Sequence, residues 1–370
     1  MISFVWEPGL PLPAGTGGSE NYTVGHVREL NRRNIDAQVV TVGLNNADGR
    51  DQFDGIPFRS VGTVGDIGEI EGTVVFVTEF PAVVTRQPAY QILHVPPPLR
   101  DPQRDRVRAQ TRDRALIATS RFAAELWSEF LDVDVETIEV VYPFAEPCFA
   151  IQARPPRDPD VVKVLYAGRL SPEKGIYTLL AMLHSDVIPP DRDVTFTATT
   201  AGEDKPQGQI IRSLLEAHPR VRLVPSRKTP GGMAALMADH DIVVMPSNSQ
   251  YWHETFGIVS IEAQHAGCRV VASDDGGLPE TDCGSVTLVV PDDAEALARG
   301  LRDVIAAGVV SEDARLSASV RFTVAESVDS LLAVFTRPRT STPAELVREL
   351  EALVALPSPG VKRRPLLVVD

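Results

Sequence analysis

Short apolar runs recur along this chain, and longer amphipathic stretches or loops separate them. Ile2–Trp6 is followed by the glycine-bearing loop Pro13–Ser19 and a helix-like stretch from Glu20 to Arg33. Ala37–Val42, Thr73–Thr78, Tyr90–Val95, Ala115–Thr119 and Glu139–Tyr142 continue the rhythm. Short strands alternating with helices or loops predict a parallel sheet covered on both faces.

The stretch Ala150–Asp160 is rich in proline and charge and reads as a linker. The rhythm restarts beyond it, with strand-like runs at Val161–Ala167, Asp193–Thr199, Val221–Val224, Ile242–Met245, Arg269–Ala272 and Thr287–Val290. Helices fit Ile176–Leu183, Gly208–Ala217, Gly232–Ala238, Phe256–Ala266 and Ala294–Ala307. The expected fold class is α/β, with one doubly wound domain over 1–155 and a second over 156–340. Residues 341–370 form a tail whose helix-like part, Pro343–Leu356, either packs back on the first domain or frays. Ligands of open α/β sheets bind beyond the carboxyl ends of the strands, so two such domains facing each other make an interdomain cleft.

Composition narrows the classes. The 370 residues are 43% hydrophobic and 23% charged, as in a soluble globular protein. No window approaches a membrane span. Met1–Glu7 reads as a first strand rather than a signal peptide, so a cytoplasmic protein is expected. A net charge of −14 argues against general nucleic-acid binding. Cys148, Cys268 and Cys283 fit no metal-ligand spacing and read as reduced thiols. One basic cluster stands out: Arg100, Arg104, Arg106, Arg108, Arg112 and Arg114. It reads as a solvated helix face with i,i+4 ion pairs, or else as a contact for an anionic partner or surface.

Two motifs carry candidate chemistry. Glu254-Thr255-Phe256-Gly257-Ile258-Val259-Ser260-Ile261-Glu262 follows the Ile242–Met245 run and opens a helix. A helix start offers unpaired N–H groups and a positive dipole end, suited to phosphate or sugar hydroxyls. Glu262, one to two turns in, is able to accept hydrogen bonds from a diol such as ribose. The second motif runs from Val164 to Gly175, where a strand ends in Gly168-Arg169 and Lys174-Gly175 enters a helix. Arg169 offers a planar fork and Lys174 a compact charge, together suited to a diphosphate. His94 ends the Gln91-Ile92-Leu93 run, where it either faces the cleft or serves as a hydrogen-bonded structural histidine.

Gly168-Arg169-Leu170 with Glu173-Lys174-Gly175, the Glu254–Glu262 pair, and Gly276-Gly277-Leu278-Pro279-Glu280 resemble the retaining glycosyltransferases of the GT-B fold, family 4 (glycosyl transferases group 1). Order and spacing fit through Ala167–Val290 and more loosely through 1–150. The resemblance implies two Rossmann-like domains facing a cleft, the first carrying the acceptor and the second a nucleoside-diphosphate sugar, most commonly a UDP-sugar. It implies that Arg169 and Lys174 bind the donor diphosphate and act as the main catalytic groups. Glu262 would hold the ribose, Glu254 would face the transferred sugar as a further catalytic group, and the backbone of Phe256, Gly257 and Ile258 would touch sugar or phosphate. Gly17 and Gly18 match the glycine loop before the first helix, where backbone approaches the donor. His94 matches a histidine near acceptor or sugar.

No cofactor or metal is implied, the nucleotide sugar being a substrate. The acceptor is a small molecule, a glycan or a lipid-linked group, and the oligomeric state is left open. Two features depart from the family pattern. Thr255 stands where proline is frequent, and Ser247–His253 makes a long approach to Glu254. The rival functions are a nucleotide-sugar epimerase or hydrolase on the same plan, and a non-catalytic nucleotide-sugar-binding subunit.

Overall fold

A computed structural model describes residues 1–13, 17–98, 103–158, 160–185, 193–250 and 252–337. The first half contains β1 (Ile2–Val5), α1 (Gly18–Arg32), β2 (Ala37–Val42), β3 (Phe58–Val61), β4 (Thr73–Phe76), β5 (Ala89–Leu93), α2 (Arg104–Thr111), β6 (Arg114–Ala118), α3 (Arg121–Leu131) and β7 (Ile138–Val140). Its sheet runs β3-β2-β1-β4-β5-β6-β7, every pair parallel. The short helix α4 (Pro147–Ile151) follows. The second half contains β8 (Val161–Tyr166), α5 (Ile176–Leu183), β9 (Asp193–Thr199), α6 (Pro206–Glu216), β10 (Val221–Val224), α7 (Pro230–Ala238), β11 (Ile242–Met245), α8 (Ile258–His265), β12 (Arg269–Ser273), β13 (Val286–Val289) and α9 (Ala294–Ala307). Its parallel sheet runs β10-β9-β8-β11-β12-β13. The predicted pair of doubly wound domains is thus what the chain forms.

Each sheet is covered on both faces, because its strands are apolar on both. Val164, Phe196 and Val244 pack beneath α5 and α9, while Leu165, Val243 and Val270 pack beneath α7 and α8. The order reverses at β8 in the second sheet and at β1 in the first. Strand ends diverge at such a reversal and leave a crevice for ligands.

The chain then adds α10 (Glu312–Ser319) and α11 (Val324–Thr336). Sequence reading placed 324–336 within the second unit, yet Val328, Leu331 and Val334 pack in the core of the first. A capping box starts α11: Thr323 Oγ1 accepts from Glu326 N at 3.2 Å, and Glu326 Oε2 accepts from Thr323 N at 3.0 Å. Ser327 Oγ then meets His26 Nε2 at 3.2 Å and donates to Tyr142 O at 2.6 Å. The helix-like stretch 343–356 and the tail 341–370 lie outside the described residues.

Several arginines of the cluster make long-range contacts. Arg106 pairs with Glu79 at 2.9 Å, and Arg108 donates to Leu131 O at 2.9 Å. Arg104 lies over the Phe130 ring. Arg114 is 5% exposed, lies on the Phe76 ring at 3.8 Å, and donates to Gln91 Oε1 at 2.8 Å. Arg100 lies outside the described residues. Also among the described residues, no helix is long and apolar enough to cross a membrane, and Cys148, Cys268 and Cys283 are free thiols.

Candidate active site

Both motifs of the second domain emerge at the strand-order reversal, from the carboxyl ends of neighbouring β8 and β11. The Gly168–Lys174 turn is held from beneath by Tyr166, whose hydroxyl donates to Arg169 O at 2.7 Å. A Cβ on Gly168 would stand 2.8 Å from that hydroxyl, so glycine is what lets the turn close over it. Gly175 has φ 67°, and a Cβ there would lie 1.5 Å from Pro246 O. Only glycine permits that contact, which presses the Lys174 turn onto the end of β11. Asn248 N donates to Glu173 O at 3.0 Å and fixes the same junction.

The two motifs consequently meet through their side chains. Lys174 Nζ pairs with Glu254 Oε1, and both side chains are mostly buried. Ser247 Oγ lies 3.4 Å from the same carboxylate oxygen. Arg169 is largely exposed and reaches Glu173 at 3.5 Å, leaving its guanidinium at the cleft surface. Glu254 is held in turn by the glycine pair downstream. Gly277 N donates to Glu254 O at 2.7 Å, and a Cβ on Gly276 would stand 2.3 Å from that oxygen.

Helix α8 starts at Ile258, with Gly257 as its N-cap at φ 93°, two residues later than the pattern suggested. Phe256 is buried, its ring 5.7 Å from Tyr142 and 5.4 Å from Phe322, so it presents backbone rather than side chain. Glu262 is only 3% exposed. Burial, reinforced by the charge of Glu146, pushes its carboxyl up to about 8. Glu146 is itself raised by burial, against the opposing pull of Arg28 at 3.1 Å. The Glu262 backbone carbonyl accepts from Ala266 N at 3.0 Å, while its carboxylate has no hydrogen bond or ion pair among the described residues.

The first domain supplies the opposite wall. Gly17 is the N-cap of α1, and Glu20 curls back so far that a Cβ on Gly17 would meet its Oε2 at 2.1 Å. Gly18 has open space around it. Burial raises the Glu20 carboxyl, opposed by a backbone hydrogen bond and by the charge of Arg169 across the cleft. His94 follows β5 and packs edge-on to Tyr22 at 4.8 Å. Burial drives its imidazole down to about 3, so it is neutral near pH 7. Its Nε2 is buried with no hydrogen-bond partner among the described residues.

His26, His240 and His265 are held by structural hydrogen bonds. Each ring donates to a backbone carbonyl: His26 Nδ1 to Tyr22 O at 2.7 Å, His240 Nδ1 to Leu236 O at 2.7 Å, and His265 Nε2 to Arg321 O at 2.9 Å. Sequence reasoning missed Glu20 and the His253–Asp275 pair, whose Nδ1···Oδ2 distance is 2.9 Å. The second depends on a loop-to-loop contact that no spacing reveals.

Residues 161–307, which carry Arg169, Lys174, Glu254 and Glu262, match the family model described as Glycosyl transferases group 1. This domain is therefore similar to the group 1 glycosyl transferases. Two curated relatives are similar over part of the chain. A D-inositol 3-phosphate glycosyltransferase of Pseudarthrobacter chlorophenolicus is 32% identical over 175 residues, covering 45% of this chain and 40% of the relative. A glycogen synthase of Mycobacterium tuberculosis is 32% identical over 163 residues, covering 41% of this chain and 36% of the relative. The chain therefore spans well under two thirds of either relative. The fold is that of solved GT-B proteins: Anabaena HepE, crystallised with UDP and glucose, superimposes with a TM-score of 0.70. At 20% identity that match covers 91% of this chain and 99% of HepE.

Proposed function

We propose that the protein transfers a sugar from a nucleoside-diphosphate sugar to an acceptor hydroxyl, with retention of anomeric configuration. The observation that carries this reading is the junction of Lys174, Glu254 and Arg169 at the strand reversal, opposite the start of α1. A diphosphate seated there meets one ammonium and one guanidinium, which stabilise the charge it gains as the sugar departs. The sugar passes through an oxocarbenium-like transition state beside Glu254. A donor phosphate oxygen on the same face takes the proton of the incoming hydroxyl. Glu262 binds the ribose diol, and the Gly257–Ile258 backbone meets phosphate or sugar.

UDP is the nucleotide the reading favours, since HepE was crystallised with UDP. The first domain carries the acceptor, with His94 beside it. The relatives' names, an inositol phosphate enzyme and a glycogen synthase, differ in acceptor, so the reading commits to a hydroxyl and no further. The charge on the leaving group is met by Arg169 and Lys174, with no metal in the scheme. A cytoplasmic location belongs to the same reading.

The test is incubation of the pure protein with radiolabelled UDP-glucose, other nucleotide sugars and a panel of hydroxyl acceptors. Glycoside with retained configuration supports transfer. Epimerised donor, free sugar alone, or binding without turnover would each replace it with the corresponding rival.

A further inference from the structure

Thr255 is flanked by two residues of the donor loop, yet its hydroxyl and its carbonyl both bond the other domain. Its Oγ1 donates to His94 O at 2.6 Å, and its own carbonyl accepts from Ser120 Oγ. His94 and Ser120 follow the adjacent strands β5 and β6, whose register pairs Leu93 with Ala118. The donor loop therefore grips two neighbouring strand ends of the acceptor-side sheet. Ser120 is fully buried and Thr255 is 8% exposed, so water competes weakly for either bond.

A second contact backs the first. Glu280 accepts from Arg121 N at 3.0 Å, Phe122 N at 2.8 Å and Tyr142 OH at 2.8 Å. Its carboxylate thus caps α3 of the first domain from the second, where the helix has unpaired N–H groups. Gly277 N bonds Glu254 O, so the two second-domain loops move as one.

We infer that Thr255 is a positioning residue: it fixes the Glu254 loop against the acceptor-side strand ends, so that Lys174–Glu254 and His94 face each other at one set distance. The inference rests on the transfer reading above for its catalytic consequence, but not for the contact itself. Proline, frequent at this position in the family the motifs resemble, has no hydroxyl to reach His94 O.

The test compares T255V, which keeps the shape and removes the hydroxyl, with T255S, which keeps the hydroxyl. Three quantities are read on the full chain: amide hydrogen exchange over residues 118–124, the affinity for UDP by calorimetry, and the rate of UDP release from UDP-glucose in water. One buried neutral hydrogen bond shifts an opening equilibrium by roughly three- to tenfold. T255V is expected to speed exchange at 118–124 by about that factor and to slow UDP release by about tenfold or more. UDP affinity should stay within about twofold, and T255S should restore both rates. Wild-type exchange and turnover in T255V would overturn the inference. So would a loss of UDP affinity parallel to the loss of rate, which would make Thr255 a donor contact. If the wild type releases no UDP from UDP-glucose, the transfer reading fails with that donor, and the exchange result alone decides whether Thr255 joins the domains.

Discussion

Lys174 and Glu254 lie 80 residues apart in the chain and share an ion pair at the floor of the cleft. The pair exists because Gly175 sits on Pro246 O and brings the two strand-end turns into contact. A diphosphate arriving there would share Lys174 with Glu254, freeing the carboxylate to face the sugar. Lys174→Ala is expected to lower transfer at least about 100-fold. The melting temperature should change by only a few degrees, because the pair is partly exposed. Near-wild-type turnover measured with saturating donor would remove Lys174 from the mechanism. Lys174→Arg should recover little, since a planar fork does not replace a compact charge at this tight junction.

Gly175→Ala tests the junction rather than the charge. The new Cβ would have to displace the backbone carbonyl of Pro246 and accept a left-handed φ. A cost of about 2–4 kcal/mol is expected, read as a fall of roughly 5–10 °C in thermal unfolding. Gly231→Ala is the matching control, since a Cβ there meets nothing within 4 Å. Equal melting temperatures for the two variants would mean that the turn is not pinned as described.

These two residues also show what a sequence discloses. Arg169, Lys174 and Glu254 stood out because each lies in a loop that follows a strongly apolar strand and carries glycines before the next helix. Strands β2, β9, β10 and β11 have the bounds their apolar runs predicted. Strand β3 escaped notice because Phe58-Arg59-Ser60-Val61 is a short, half-exposed edge strand with no apolar run. Helix α11 and its docking were not legible, since Arg33 with Asp329 and His26 with Ser327 are partners about 300 residues apart. Arg114 looked like part of a surface cluster, although its guanidinium lies on a core phenylalanine. Thr255 looked like a mere departure from a motif, because its partners His94 and Ser120 belong to the other domain.

His94 offers a test of proton handling. Burial, with a smaller contribution from nearby His26, holds its imidazole down to about 3, so it stays neutral from pH 5 to 9. His94→Gln keeps a polar group at the cleft. The variant's rate should fall while its pH–rate profile keeps the inflections of the wild type. Loss of an inflection between pH 5 and 8 in His94→Gln would show that the imidazole titrates during catalysis.

Glu262 makes the stability of the protein depend on pH in an unusual direction. Its carboxyl is raised from 4.5 to about 8 by burial and by Glu146, so the folded state holds a proton there that the unfolded chain releases. Between pH 4.5 and 8 the native state therefore binds more protons, and this group's contribution to stability falls as pH rises. His26, lowered to about 4, and His94, lowered to about 3, act oppositely: their contribution is lost as pH falls below 6.5. Glu262→Gln removes the first effect alone. Its melting temperature should match the wild type near pH 5 and exceed it by several degrees above pH 8. Donor binding should weaken by roughly tenfold in the same variant, since an amide accepts from a diol less strongly than a carboxylate. A nucleotide that brings its ribose to Glu262 favours the ionised carboxylate, so binding to the wild type should release protons near pH 7. Calorimetry in buffers of different ionisation enthalpy measures that release. Its absence, together with unchanged affinity in Glu262→Gln, would place the ribose elsewhere.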